Sequence, residues 1–159
     1  MKKPEIFHTT RCTGQTYTHE QWSEHCRKHR QGGFIAFTYK DFQFNEFDVC
    51  ITPHTLTDYN RNGCQLRITT AESPNGRWSY GICYAYGTGG GGFAPSFVSD
   101  QINGFASEKE AVYDALLTAE RWLRRDSTSR PKDPTTNEFM GKIREYKDLF
   151  NPRQLELFC

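Results

Sequence analysis

Long apolar runs are missing from this 159-residue chain, whose mean hydropathy is -0.77, so no segment reads as a membrane span. An excess of either charge is missing too. Twenty lysines and arginines stand against 19 aspartates and glutamates, which excludes a chain that is polybasic or a DNA-mimicking polyanion as a whole. Behind the basic start Met1-Lys2-Lys3 there is no apolar stretch of the kind a secretory signal needs, and the expectation is a cytoplasmic protein. Closely spaced cysteine pairs are absent as well. The six cysteines, at 12, 26, 50, 64, 83 and 159, are scattered, several within apolar or strand-like runs. They read as reduced thiols, mostly small core residues, since a chain of this length buries a core without bridges.

Signatures of catalysis are equally scarce. The run Gly87-Thr88-Gly89-Gly90-Gly91-Gly92 is followed by Phe93-Ala94-Pro95, with no Lys-Ser or Lys-Thr and no helix opening behind it, so it is not a phosphate-cradling loop. A flexible loop whose glycines let backbone approach something closely is expected there. His19, His25, Cys26 and His29 fall on or beside one helical segment, but no CxxC partner exists and the histidines of HEQWSEH are too far apart for HExxH. Glu20, Glu24, Asp41, Glu46, Asp48 and Asp58 supply carboxylates without the Glu-x-Lys strand of two-metal nucleases, and no G-x-S-x-G elbow occurs. No catalytic residue, metal site or cofactor is assigned, and a non-enzyme is expected.

What is present points to one α+β domain with a C-terminal extension. Thr18 and Gln21 have capping-box spacing, and Trp22, Cys26 and His29 recur at helical intervals, which predicts a helix over 18–30. Strands are predicted over 34–39, 47–52, 66–70 and 78–86, with Pro74-Asn75-Gly76 turning the third into the fourth as a hairpin. In the last strand Trp78, Tyr80, Ile82, Tyr84 and Tyr86 share one bulky face, and Ser79, Gly81, Cys83 and Ala85 share a small one. Ser107 and Glu110 open a helix over 107–125 whose Ala111, Val112, Ala115, Leu116, Ala119, Trp122 and Leu123 form an apolar stripe. Residues 126–134, with two prolines, read as a linker to a third helix over 135–150, and 151–159 as a tail. The expected fold is an antiparallel sheet of about four strands covered by the 107–125 helix, with the third helix and tail projecting beyond it.

The tail reads Asn151-Pro152-Arg153-Gln154-Leu155-Glu156-Leu157-Phe158-Cys159. Gln154 to Phe158, QLELF, resembles the pentapeptide QL(S/D)LF by which bacterial replication and repair proteins bind the DNA sliding clamp. The likeness covers five residues, four of them on the consensus, with Glu156 keeping the charge of the Asp variant. It implies that Leu157 and Phe158 anchor in an apolar cleft of the clamp, that Leu155 supports them and that Gln154 orients the peptide by hydrogen bonding. Pro152 is expected to stop the preceding helix and hold the peptide extended. The competing expectation is that these apolar side chains fold back onto their own core.

Charge is segregated along the chain. Residues 1–40 carry a net +4, residues 41–120 a net -6 and residues 121–153 a net +4. Arg121, Arg124, Arg125, Arg130 and Lys132 are the candidate phosphate contacts of a DNA-binding surface. The function expected is that of a small accessory protein of DNA metabolism, from a bacterium, phage or mobile element, recruited to the sliding clamp and contacting DNA or a DNA-processing protein. Two alternatives stand beside it. One is a mobile-element inhibitor of a host defence nuclease, of anti-restriction or anti-CRISPR type, acting by protein–protein binding. The other is a single-stranded nucleic-acid-binding module that stacks bases on the aromatic strand face.

Overall fold

The computed structural model describes residues 5–6, 8–9, 16–30, 35–45, 47–97, 104–129 and 133–155, with backbone alone at His8, Thr9, Cys26, His29, Arg30, Gln154 and Leu155. In chain order the elements are β1 (His8–Thr9), β2 (Thr16–Tyr17), α1 (His19–Arg30), β3 (Phe37–Tyr39), β4 (Phe42–Phe44), β5 (His54–Arg61), β6 (Cys64–Glu72), β7 (Trp78–Tyr86), β8 (Gly89–Phe93), α2 (Glu108–Asp126) and α3 (Pro134–Leu149), then a 3-10 turn over Pro152–Leu155. The architecture is α+β, with a four-stranded antiparallel sheet in the order β5-β6-β7-β8 and two small hairpins, β1-β2 and β3-β4. Among the described residues no helix is long and apolar enough to cross a membrane.

Both predicted capping boxes close. The Thr18 N–H donates to Gln21 Oε1 at 2.9 Å and the Gln21 N–H to Thr18 Oγ1 at 3.3 Å, so α1 starts where the spacing places it. At α2 the Glu110 N–H donates to Ser107 Oγ at 3.2 Å, and the Glu110 carboxylate reaches back to the Ala106 N–H at 3.0 Å. The third helix begins one residue earlier than expected. Its cap is Asp133, whose carboxylate accepts from the Thr135 N–H at 2.9 Å, and Pro134 takes the first helical position, where its missing N–H costs nothing.

The count of four strands is right, but two of its members are not those predicted. Residues 37–39 pair only with β4, apart from the main sheet. Residues 47–52 are not a strand, because Asp48 sits at φ +59° and turns the chain over the Asn45 carboxamide, which accepts from the Phe47 and Val49 N–H groups. The segment drapes over a small core of its own, in which Cys50 packs with Phe42, Phe44, Ala71 and Phe97. The outer strands of the sheet are β5, entered by a Thr-rich polar run, and β8, the glycine run that was expected to be a loop. The predicted hairpin between β6 and β7 is present, with Gly76 at φ +75° in its turn.

The bulky face of β7 is the main core. Tyr80, Ile82, Tyr84 and Tyr86 lie beneath Ala111, Val112, Ala115, Leu116, Ala119 and Leu123 of α2, with Leu66 and Ile68 of β6 beside them. Its rings are therefore sealed and do not offer a platform for stacking bases. Helix α3 belongs to this core rather than projecting beyond it. Phe139 and Ile143 are fully buried, Phe139 stacks on Tyr59 at 5.3 Å, and the Tyr86 and Thr136 hydroxyls meet at 2.6 Å. The small face of β7 is small for a reason: a Cβ at Gly81 would stand 2.6 Å from Pro95 Cδ, where the chain leaving β8 crosses over it. Ser79 bonds that same segment, accepting from the Ser96 N–H and donating to the Ser96 carbonyl, both at 3.1 Å. Among the described cysteines, Cys50 and Cys64 are buried thiols and Cys83 is an exposed one.

Candidate functional site

Helix α3 ends at Leu149, and the Phe150 N–H closes its last turn onto the Tyr146 carbonyl at 2.9 Å. Asn151 then uses its side-chain oxygen to accept from the Arg153 N–H at 3.0 Å, which folds Pro152–Leu155 into a 3-10 turn lying against α2. Pro152 does end the helix, but the backbone after it is wound into a tight turn at Gln154 and Leu155, not held extended. The side chains of Gln154 and Leu155, and all of Glu156, Leu157, Phe158 and Cys159, lie outside the described residues.

Of the five candidate phosphate contacts, Arg121, Arg124 and Arg125 stand exposed on the C-terminal half of α2, where cations suit the helix dipole. Arg130 and Lys132 lie outside the described residues. The three arginines differ in what they already hold. Arg124 pairs with Glu120 at 2.6 Å and Arg125 with Asp126 at 2.7 Å. Arg121 donates to the Thr118 hydroxyl at 2.9 Å and, among the described residues, has no carboxylate within ion-pair distance. Glu120 also accepts Lys147 of α3 at 2.5 Å, and that hydrogen bond is the largest cause holding its carboxyl below the usual range. A shallow groove of about 440 Å³ lined by Asp114, Leu117, Glu120, Arg121 and Arg124 runs along this surface.

A larger groove, of about 540 Å³, opens between the end of α2 and the glycine strand. It is lined by Trp122, the Arg125–Asp126 pair, Tyr86 and the bare backbone of Gly89 to Gly91. Trp122 is held edge-on to Tyr84 at 5.6 Å, and burial pushes the Tyr84 phenol well above its usual range, so that hydroxyl stays protonated. The groove therefore offers an apolar ring, one ion pair and unclothed peptide groups.

One titratable cluster escaped the reading of the sequence. His54, at the start of β5, directs Nε2 to Asp41 at 2.5 Å and Nδ1 to Glu108 at 3.6 Å, and Glu108 accepts the buried Thr70 hydroxyl at 2.6 Å. The hydrogen bond to Asp41 is the main reason the imidazole pKa is raised. Both ring nitrogens face carboxylates, whereas a general base needs one nitrogen open toward a nucleophile. The cluster ties the β3-β4 turn, β5 and the first turn of α2 together. The signal that would have found it is a histidine directly after the strand-breaking Pro53, with carboxylates far away in sequence, which only the fold brings within reach.

Of the predicted carboxylates, Glu24 is spent on Arg27 at 2.7 Å and Asp58 on Arg67 at 3.3 Å, while Glu46 lies outside the described residues. Among the described residues no group of three or more histidine, cysteine, aspartate or glutamate side chains is placed to hold a metal ion. His25 packs its ring edge-on to Tyr17 at 4.5 Å, and the side chains of Cys26 and His29 are outside the described residues. No protein family, no curated protein and no solved structure matches this chain.

Proposed function

We propose that this protein is a small, non-catalytic accessory of bacterial DNA metabolism that docks on the DNA sliding clamp through Gln154, Leu155, Leu157 and Phe158. The single observation that carries the reading is the run QLELF following the helix stop Asn151-Pro152. Leu157 and Phe158 would supply the apolar burial, and Gln154 the polar anchor. The exposed arginines of α2, Arg121 foremost, would add a phosphate-contacting face, and Arg124 and Arg125 would have to exchange a carboxylate for phosphate to join it.

The test is direct. The 159-residue chain binds purified clamp, and a peptide of residues 151–159 competes for it. Burying a leucine and a phenylalanine is worth about 1.5–3 kcal/mol each, so Leu157→Ala with Phe158→Ala weakens binding by at least about 100-fold. Clamp binding that is absent in the parent, or unchanged in the double variant, rejects the reading. A DNA contact through Arg121 shows as affinity that falls steeply with salt and a shallower salt slope in Arg121→Ala.

A further inference from the structure

The two edges of the main sheet are built differently. The β5 edge carries Asp58 and Arg61, which pair with Arg67 at 3.3 Å and Glu138 at 2.9 Å, and its register shifts between Thr55 and Thr57. Charges and irregularity are what keep an edge strand from recruiting another. The β8 edge has neither. Gly89–Phe93 contains no charge and no proline, pairs with β7 in unbroken register, and is exposed along its whole length.

Four glycines in a strand call for a cause, since glycine loses the most conformational freedom there and packs nothing. Two are explained by β7. A Cβ at Gly90 would lie 2.6 Å from the Tyr84 carbonyl oxygen, and one at Gly92 would overlap the Ile82 carbonyl oxygen. Gly89 and Gly91 are not explained that way. A Cβ at Gly91 meets nothing within 4 Å, one at Gly89 makes only an ordinary contact at 3.8 Å, and none of the four takes a positive φ. Gly89 and Gly91 pair with Tyr86 and Tyr84, so their missing side chains are what opens the 540 Å³ groove beside Trp122. Phe93 is on the same face, opposite Ile82, and the residue is 43% exposed.

The hairpin turn fixes which backbone groups are free. Gly87 at φ +60° followed by Thr88 is a two-residue turn of the primed kind, whose closing pair, Tyr86 and Gly89, is hydrogen-bonded. By alternation, the N–H and C=O groups of Gly91 and Phe93 also serve β7, and those of Gly90 and Gly92 point to the open edge.

We propose that β8 pairs antiparallel with β8 of a second copy of this chain, about a two-fold axis at Gly91. All five residues pair only in this register. Gly90 then lies opposite the second copy's Gly92 and exchanges both backbone hydrogen bonds with it, and the symmetry repeats the exchange. Phe93 of each copy lies opposite Gly89 of the other, on the face where the groove opens, so an aromatic ring covers each bare glycine and fills the space beside Trp122. This inference stands apart from the clamp reading and uses none of its residues.

The experiment is the molar mass of the full chain by sedimentation and light scattering, from low to high micromolar concentration. The parent exchanges between monomer and dimer. Gly91→Lys, whose side chain has open space in the monomer but places two ammonium groups on the axis, is monomeric with an unchanged circular dichroism spectrum. Phe93→Ala weakens dimerisation about tenfold, the scale of one lost aromatic contact. Gly91→Cys forms a disulfide-linked dimer on oxidation, because residues opposed without hydrogen bonds stand about 4.5 Å apart at Cα, and the parent, with its exposed Cys83, does not. A parent that is monomeric at every concentration overturns the proposal, as does Gly91→Lys dimerising like the parent. So does an edge that captures an unrelated extended peptide while the chain itself stays monomeric.

Discussion

His54 stands between Asp41 and Glu108, and the imidazole and the Asp41 carboxylate give stability opposite dependences on pH. The folded pKa of the imidazole is raised above the usual 6.5, first by the hydrogen bond to Asp41. Its contribution is full below pH 6.5 and drains away as pH rises through the raised folded value. Asp41 is shifted the other way, below its usual 3.8, first by the hydrogen bond to His54, so its contribution holds above that value and is lost as pH falls through the lowered one. The thermal midpoint of the parent therefore declines as pH is raised from 6.5 through the folded His54 pKa, and His54→Gln flattens that decline. Equal slopes in the two proteins would show that the imidazole carries no charge-linked stability. Single residues also show where the sequence was hard to read. Asp48 at φ +59° turns an apolar, β-branched run into a draped loop, and nothing in the residue types of 47–52 announces a left-handed aspartate.

At the scale of elements, α3 is set by one ring. Phe139 lies between Tyr59 and Tyr84 at 5.3 and 6.0 Å and is fully buried, so Phe139→Ala leaves a cavity against both β5 and β7. The cost is about 3–5 kcal/mol, read as a lowered denaturation midpoint with the slope unchanged. Helices were legible because each announces itself twice, by an apolar stripe and by a cap: Thr18 with Gln21, Ser107 with Glu110. Strand β7 was legible from its period-two aromatics. Strand β5 was not, because His54–Arg61 is mostly polar, its buried residue is Thr57 and its apolar Leu56 and Tyr59 do not alternate at period two, although Asn62-Gly63, both at positive φ, is the hairpin signal that would have revealed it. Strand β8 was illegible for a different reason. Glycine carries no pattern, and a strand made of it is recognised only once β7 is laid alongside.

For the whole molecule, the two cores meet at Trp78, which packs against both, and neither draws a described side chain from beyond Phe150. A chain ending at Leu155 keeps the 3-10 turn against α2 and removes Glu156 to Cys159. Its thermal midpoint stays within the roughly 4 °C that 1 kcal/mol is worth in a domain of this size, and the clamp docking proposed above is lost with those residues. A midpoint that drops further would place Leu157 and Phe158 in the fold itself and reject the docking role. The candidate site was legible only at its tail. The groove beside Trp122 arises from side chains that are missing, and absent side chains leave no trace in a hydropathy pattern. The unequal edges of the sheet have a last consequence. An association that joins bare edge to bare edge consumes every such edge in forming a pair, and what it leaves outermost is two copies of β5, armed with charge and broken in register. Growth has nowhere to continue, so the same glycine strand that invites a neighbour also ensures that the assembly closes at two and does not run on into a fibre.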